Sequence, residues 1–446
     1  MVVRQAVRVH RGGLSRLLAP DDDGGPMADE STDRQGATLM RMGDWRVFAS
    51  AVAVDGPGRR QVAEFMLPDG TALPLVEDDN GVPRPPFSLE EAYGNYLTEA
   101  WTAASTNRRL SSDQLQFFYR YRRFVPRGVQ LRARRRMIRW QGAPEFPAWP
   151  LDDGVNRLLR LDAARRLAAS GERELAFRWF WPRPYRAAIV LSHDVESVEG
   201  IRRAVELADL EEGLGFRSAF NFGAWYEIDP GVLRELTSRG FEIGMHGIAH
   251  DRSLFSSRGE FERQLPLLRE LASRLGAVGF RSPATHRVFD WLAELPVEYD
   301  CTIPHSDPYE PQPGGCCSLW PFFVGDVVEL PYTLPQDHTL LTLLRHRSAA
   351  LWIDTARAIE DRFGLVQCLT HPDPGYLGDA NKRGIYEEFL RAMAEREHVW
   401  RALPREVAAW WRHRDAGDPD LAYGRVEAGP STVEASLTPP APPSPA

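Results

Sequence analysis

Near residue 185 the spacing of apolar positions changes, and the change divides the chain. Beyond it, short apolar runs alternate with segments whose apolar residues recur every three or four positions. AAIVLSHD reads as a strand and EGIRRAVELADLEEGLG as a helix. FRSAFNFGAWY, FEIGMHGIAHD, AVGFRSPATH, VEYDCTI, VGDVVELPYT and LVQCLTHPD read as further strands. Between them DPGVLRELTSRG, which starts at an Asp-Pro cap, GEFERQLPLLRELASRLG, VFDWLAEL and TARAIEDRFG read as helices. YEEFLRAMAEREHVWRALPREVAAWWRHR supplies one or two closing helices. Such alternation over residues 185–413 predicts a parallel sheet covered by helices, with closure into a barrel as one form of it.

Upstream the pattern is looser. Residues 37–184 read as a small α+β accessory region, with strands in WRVFASAVAV and QVAEFML. A helical stretch runs from FSLEEAYGNYLTEAW to LSSDQLQFFYRYRRF. Residues 1–36 are rich in Gly, Asp and Arg without a period and read as a disordered leader. Residues 414–446, ending STVEASLTPPAPPSPA, read as a disordered, Pro-rich tail.

Composition sets limits on this plan. The chain has 446 residues, 43% of them hydrophobic, and a formal net charge of −8. It is globular, and the acidic balance argues against a dedicated nucleic-acid binder. Lys382 is the only lysine. Cys301, Cys316, Cys317 and Cys368 form no CxxC pair and read as reduced structural thiols. No apolar run approaches the roughly 18 residues of a membrane span. The N-terminus lacks the apolar core and cleavage site of a signal peptide, so a cytoplasmic location is expected. Arg132, Arg134, Arg135, Arg136 and Arg139 crowd together with Met137, Ile138 and Trp140. That segment is either a basic amphipathic patch making weak contact with a membrane surface or polyanion, or a solvated helix face packed on the main domain. The second is the plainer reading.

The chemistry gathers at strand ends: SHDVE (192–196), MHGIAH (245–250), RSPATH (281–286), EYDCTIPHSD (298–307) and LTHPD (369–373). α/β folds build their sites there. In an extended strand Asp194 and Glu196 point to one face and His193 to the other. Two carboxylates on one face repel each other unless a cation lies beside them. His246 and His250 are four apart, so a helical turn would bring both imidazoles to one side, where they could chelate a metal. A His/carboxylate set suits zinc best.

In this order the motifs resemble those of the polysaccharide deacetylase family (NodB homology domain, carbohydrate esterase family 4), over roughly residues 186–400. The resemblance implies an α/β fold of the distorted (β/α) barrel type. It also implies a metal-dependent hydrolase, acting on carbon–nitrogen bonds other than peptide bonds, that removes an acetyl group from an amino sugar or glycan precursor. HDVE resembles the Asp-x-Asp form of the first motif, making Asp194 the catalytic base and Glu196, a Glu where the family has Asp, a metal ligand. HGIAH matches the His-x-x-x-His motif, so His246 and His250 become ligands. RSPAT is similar to Arg-x-Pro, in which Arg281 braces the base and the N–H of Ala284 or Thr285 stabilises an oxyanion. The family's aromatic-Gly pair after that proline is replaced by Ala284-Thr285, which implies a different pocket. LTH resembles the Leu-x-His motif and makes His371 the general acid, with Asp300 or Asp307 orienting it.

Whether Asp194 or Glu196 touches the metal stays open from the residues alone. Residues 307–340 form either a substrate lid, with Trp320, Tyr332 and His338 among the surfaces for a sugar ring, or a structural loop. Two other functions compete. One is a metal-free amidohydrolase on a small cyclic amide, with His193 and Glu196 binding substrate; the other is a non-catalytic glycan-binding or assembly protein with a relic site.

Overall fold

The computed structural model describes residues 14–18, 36–54, 59–103, 126–142, 145–418 and 420–441. The helical reading of LSSDQLQFFYRYRRF lies outside them. The first strands are β1 (Thr38–Met42), β2 (Trp45–Ala49), β3 (Arg60–Met66), β4 (Ala72–Glu77) and β5 (Pro83–Arg84). They form an antiparallel sheet in the order β2-β1-β3-β4-β5. Its buried residues Met40, Val47, Phe65 and Leu75 belong to one core with Ala92, Tyr93, Tyr96 and Leu97 of the Leu89–Leu97 helix. Ser88 caps that helix by accepting from the Glu91 N–H at 3.3 Å.

The larger sheet follows β6 (Glu174–Arg178). Its strands are β7 (Ala187–Val195), β8 (Ala219–Phe222), β9 (Glu242–Met245), β10 (Gly279–Phe280), β11 (Tyr299–Asp300), β12 (Phe322–Val324), β13 (Val327–Glu329), β14 (Leu365–Thr370) and β15 (Val399–Arg401). The order is β12-β13-β11-β10-β9-β8-β7-β14, with β15 also on β7. All pairs are parallel except β12–β13. That pair is a hairpin turning at Gly325, whose φ of 63° suits glycine. Every residue of β7 is buried, as expected of a strand covered on both faces.

The sheet curls. The N–H groups of Thr333 and Leu334, just past β13, donate to Gln367 O on β14 at 3.2 and 3.1 Å and so link its two ends. The predicted helices form where their caps allow. Val198–Gly213 starts at Ser197, whose Oγ accepts from the Gly200 N–H at 3.1 Å. Pro230–Ser238 starts at Asp229, which accepts from the Gly231 N–H at 2.7 Å. Arg258–Leu275 starts at Ser257 and stops at left-handed Gly276. The closing segment makes two helices, Ala380–Ala394 and Pro404–Ala416. A buried ion pair, Arg287 Nε to Glu99 Oε2 at 2.7 Å, joins the accessory region to the large sheet.

Both ends of the chain depart from expectation. Residues 414–446 contain β16 (Tyr423–Ser431) and β17 (Glu434–Thr438), which pair with β6 in the order β17-β16-β6. Under the Pro/Ser composition runs an alternating pattern that buries Val426, Ala435 and Leu437. The Gly154–Ser170 helix packs on this small sheet, and Arg160 Nη1 donates to Ala435 O at 3.1 Å. Within 1–36, Leu14–Leu17 forms a helical turn with Leu14, Leu17 and Leu18 buried, and the Leu14 N–H donates to Glu90 Oε2 at 3.1 Å.

Candidate active site

The C-terminal ends of β7, β8, β9, β10 and β14 converge. Alternation along β7 sends Asp194 inward and His193 outward into a buried network. His193 Nδ1 lies 2.7 Å from Thr370 Oγ1 and its Nε2 lies 2.7 Å from Glu211 Oε1. Glu211 also accepts from Ser218 Oγ at 2.5 Å and Tyr386 Oη at 2.6 Å. His193 is 0% exposed, so a role for it in binding substrate is corrected: it braces the fold.

Glu196, one residue past β7, meets the two histidines of the next strand end but one. Its Oε1 lies 2.7 Å from His250 Nε2. One ligand atom each from Glu196, His246 and His250 fall within 4.8 Å of one another, a grouping fit for a metal ion. The tautomer of His246 supports this. Its Nδ1 faces Arg281 O at 2.9 Å and must donate to it, which leaves Nε2 with a lone pair. That Nε2 is buried and has no protein partner, so an ion or an ordered water would complete it. Burial, together with the charge of His250, holds His246 below the usual imidazole range. Burial acts against the charge on Glu196 too, but His250 and His371 outweigh it and hold the carboxyl well below its usual value.

Asp194 is gripped on one oxygen and open on the other. Oδ1 accepts from Asn221 Nδ2 at 2.8 Å and faces Arg281 Nη1 at 3.3 Å. Oδ2 has His246 Nδ1 at 3.8 Å. Burial raises this carboxyl, yet the charges of His246, Arg281 and His371 together lower it below the ordinary value. Arg281 is fully buried and fixed by Nε donating to Cys301 O at 2.8 Å. Past β10, Ala284 and Thr285 have φ of 50° and 52°, strain of the kind that collects at functional sites. The Thr285 N–H donates to Ser282 O at 3.0 Å.

His371 follows β14, with Nε2 3.7 Å from Glu196 Oε1. Its orienting acid is neither Asp300 nor Asp307, and this corrects the sequence expectation. Asp337 Oδ1 lies 2.7 Å from His371 Nδ1, and Asp337 Oδ2 accepts the His371 N–H at 2.9 Å. Burial alone would lower His371, but Asp337, with Glu196 and Asp194, pushes it up to about 10. Asp300 instead accepts from Thr302 Oγ1 at 2.6 Å, and Asp307 accepts from Tyr332 Oη at 3.2 Å.

Two of the expected sugar-binding surfaces are corrected as well. Trp320 is completely buried, with Nε1 donating to Phe363 O at 3.0 Å. Tyr332 is buried on Asp307. Residues 307–340 fold inward as the β12–β13 hairpin and its flanks, so most of their aromatic surface joins the core. His338 is half-buried, with Nδ1 2.9 Å from Glu310 Oε1. The ring of Tyr376 lies 6.0 Å from it and 4.7 Å from the ring of His371.

No protein-family model matches the chain, and no curated protein matches it. Solved structures do. The structures it resembles include polysaccharide deacetylases and carbohydrate esterases of family 4. A Mycobacterium smegmatis protein assigned as a polysaccharide deacetylase is 19% identical over 52% of this chain and 93% of its own, with a TM-score of 0.43. An allantoinase is 16% identical over 53% and 93%, at 0.39. A family 4 carbohydrate esterase from Streptomyces lividans is 12% identical over 48% and 91%, at 0.32.

Several site residues escape the motif reading. Asn221 stands opposite Asp194 in the β7–β8 register. Trp225 lies with its ring 5.6 Å from that of His246 and 5.3 Å from that of His250, and its Nε1 donates to Glu196 O at 3.1 Å. Asp373 accepts the Glu196 N–H at 3.0 Å and the Ser197 hydroxyl. It sits so close to Gly200 that a Cβ there would meet its Oδ1 at 2.5 Å. Position at a strand end is the one signal that could have flagged Asn221; Asp337 and Trp225 had none.

Proposed function

We propose that the chain is a metal-dependent hydrolase of the polysaccharide deacetylase type, built on a distorted (β/α) barrel, that removes an acetyl group from an amino sugar or glycan precursor. The observation that carries the reading is the buried, unpartnered Nε2 of His246 facing Glu196 and His250. These three residues would hold a divalent cation, and the His/carboxylate donor set fits zinc. Asp194 Oδ1 is committed to Asn221 and Arg281, which favours Glu196 as the anionic ligand. A cation there would supply Lewis acidity and a water of lowered pKa.

The chain's own residues divide the proton work. Asp194 takes a proton from the attacking water on Oδ2, and Arg281 keeps it ionised. The N–H of Ala284 is the oxyanion donor, because that of Thr285 is already engaged. His371, protonated through Asp337, gives a proton from Nε2 to the leaving nitrogen. A precursor carried on a nucleotide or lipid in the cytoplasm is the substrate class we favour. The metal-free alternative loses its substrate contact at His193.

The test is metal analysis of the purified protein with an assay for acetate release from N-acetylated amino sugars. About one zinc per chain is expected, lost in His246→Ala, with activity removed by chelator and restored by metal. A protein that binds no stoichiometric metal and keeps its activity in chelator would overturn the reading.

A further inference from the structure

The Arg127–Gln141 helix contains no Asp or Glu, and neither do residues 338–349 beside it. Among its described residues the exposed positions are Gly128, Val129, Arg132, Ala133, Arg136, Arg139 and Trp140, a stripe at helical spacing. Val129 is 50% and Trp140 is 64% exposed. The opposite side is anchored. Arg134 donates to Tyr309 O, and Arg135 donates from Nε and Nη2 to Thr342 O at 3.2 and 2.7 Å. Arg345 and Arg347, in the loop after Leu343, are exposed too, and the charge of Arg345 reaches Arg135.

Elsewhere on the surface arginines pair with acids, as Arg203 does with Glu199 at 3.0 Å and Arg258 with Glu262 at 2.8 Å. Among the described residues, Arg132, Arg136 and Arg139 have no carboxylate within 4.0 Å. A chain with net charge −8 therefore gathers unneutralised positive charge on one helix face. Two apolar side chains bracket that charge, one of them a tryptophan. A basic stripe with an indole on the same face suits the interface of a charged bilayer, where phosphates meet guanidinium groups and indole rings settle at headgroup depth. A soluble polyanion without bases, such as polyphosphate, would use the arginines alone.

We propose that this stripe docks the protein on an anionic lipid bilayer, with Arg132, Arg136 and Arg139 on headgroup phosphates and Trp140 in the interface. The anchored side determines what is brought there. Thr342 lies in the helical turn His338–Leu343, and Asp337, the partner of His371, immediately precedes that turn. Docking thus holds the candidate site beside the bilayer. The inference does not depend on the chemistry at the site.

Flotation of the full chain with vesicles of phosphatidylcholine containing about one-third phosphatidylglycerol tests it. Binding is expected to these vesicles, absent from pure phosphatidylcholine, and weakened by salt. The triple variant R132Q/R136Q/R139Q should bind about 100-fold more weakly, at roughly one decade for every one to two charges, while R132K/R136K/R139K retains binding. Trp140→Ala should weaken vesicle binding several-fold. Asp194→Asn should float as the parent does, which separates this result from any failure of the proposed hydrolase activity. Absence of flotation by a correctly folded parent, or equal flotation of the glutamine variant, would overturn the proposal. So would binding to single-stranded DNA or to inorganic polyphosphate tighter than to the anionic vesicles, which would make the stripe a polyanion site.

Discussion

Two histidine–carboxylate pairs lie on adjacent strand ends, one turned outward and one inward, and the proposed mechanism uses only the inward one. His193 on β7 meets Glu211 at 2.7 Å, and His371 after β14 meets Asp337 at 2.7 Å. Both imidazoles are buried. Strand alternation turns His193 towards the covering helices, where Thr370 occupies its second nitrogen. The same alternation turns His371 inward, where its second nitrogen faces Glu196 at 3.7 Å. Burial and a carboxylate do not by themselves distinguish a working histidine from a structural one. In the proposed mechanism the nitrogen left over does.

Breaking the inward pair should have the largest effect. His371→Ala is expected to lower kcat by about 10²–10⁴-fold, the usual worth of a positioned acid, and to cost about 1–3 kcal/mol of stability as well, because it leaves the buried Asp337 without its partner. A kcat within a few-fold of the parent would remove His371 from the chemistry.

The next effect is on pH. Asp194 is held below its ordinary value, so its ionised form is present at neutral pH and is lost only as pH falls through that lowered pKa. His371 is raised, so its acid form is present below about 10 and lost above it. The profile of kcat/KM should fall on both sides of a broad plateau. Asp337→Asn removes the main influence raising His371, and the alkaline limb should move down towards the ordinary imidazole value of about 6.5. A limb that stays in place would show that Asp337 does not set this proton.

The outward pair should respond in stability alone. His193→Leu leaves Thr370 and Glu211 short of a buried partner and is expected to cost about 1–3 kcal/mol, read from denaturant unfolding. Activity per folded molecule should stay near that of the parent. A large loss of kcat in a stable His193→Leu protein would erase the distinction between the two pairs.

How far the sequence revealed this arrangement depended on periodicity. The strand–helix rhythm after residue 185 has a strong period and clear caps, such as Ser197, Asp229 and Ser257, and most of its elements appear where expected; the short strands β12 and β15, the latter inside the segment read as closing helices, do not. Asp194, Glu196, His246, His250, Arg281 and His371 could be read because several titratable groups recur at one kind of position. Asp337 could not: it lies in LPQDHTL, a segment without period, and only the curl of the sheet brings it under His371. Trp320 and Tyr332 misled for the converse reason. An aromatic, Pro/Gly-rich stretch looks like exposed binding surface until a hairpin folds it into the core. The tail misled through composition, since Pro and Ser hide an alternation that needs the β6 edge to become visible.

That tail also sets the timetable of assembly. Arg160 and Ala435 are partners separated by 275 positions. At the usual 5–20 residues per second of synthesis, a nascent chain waits on the order of half a minute between making one and making the other. For most of that interval the β6 edge lacks its native partner, β16. The small sheet can close only after β16 and β17 have left the ribosome.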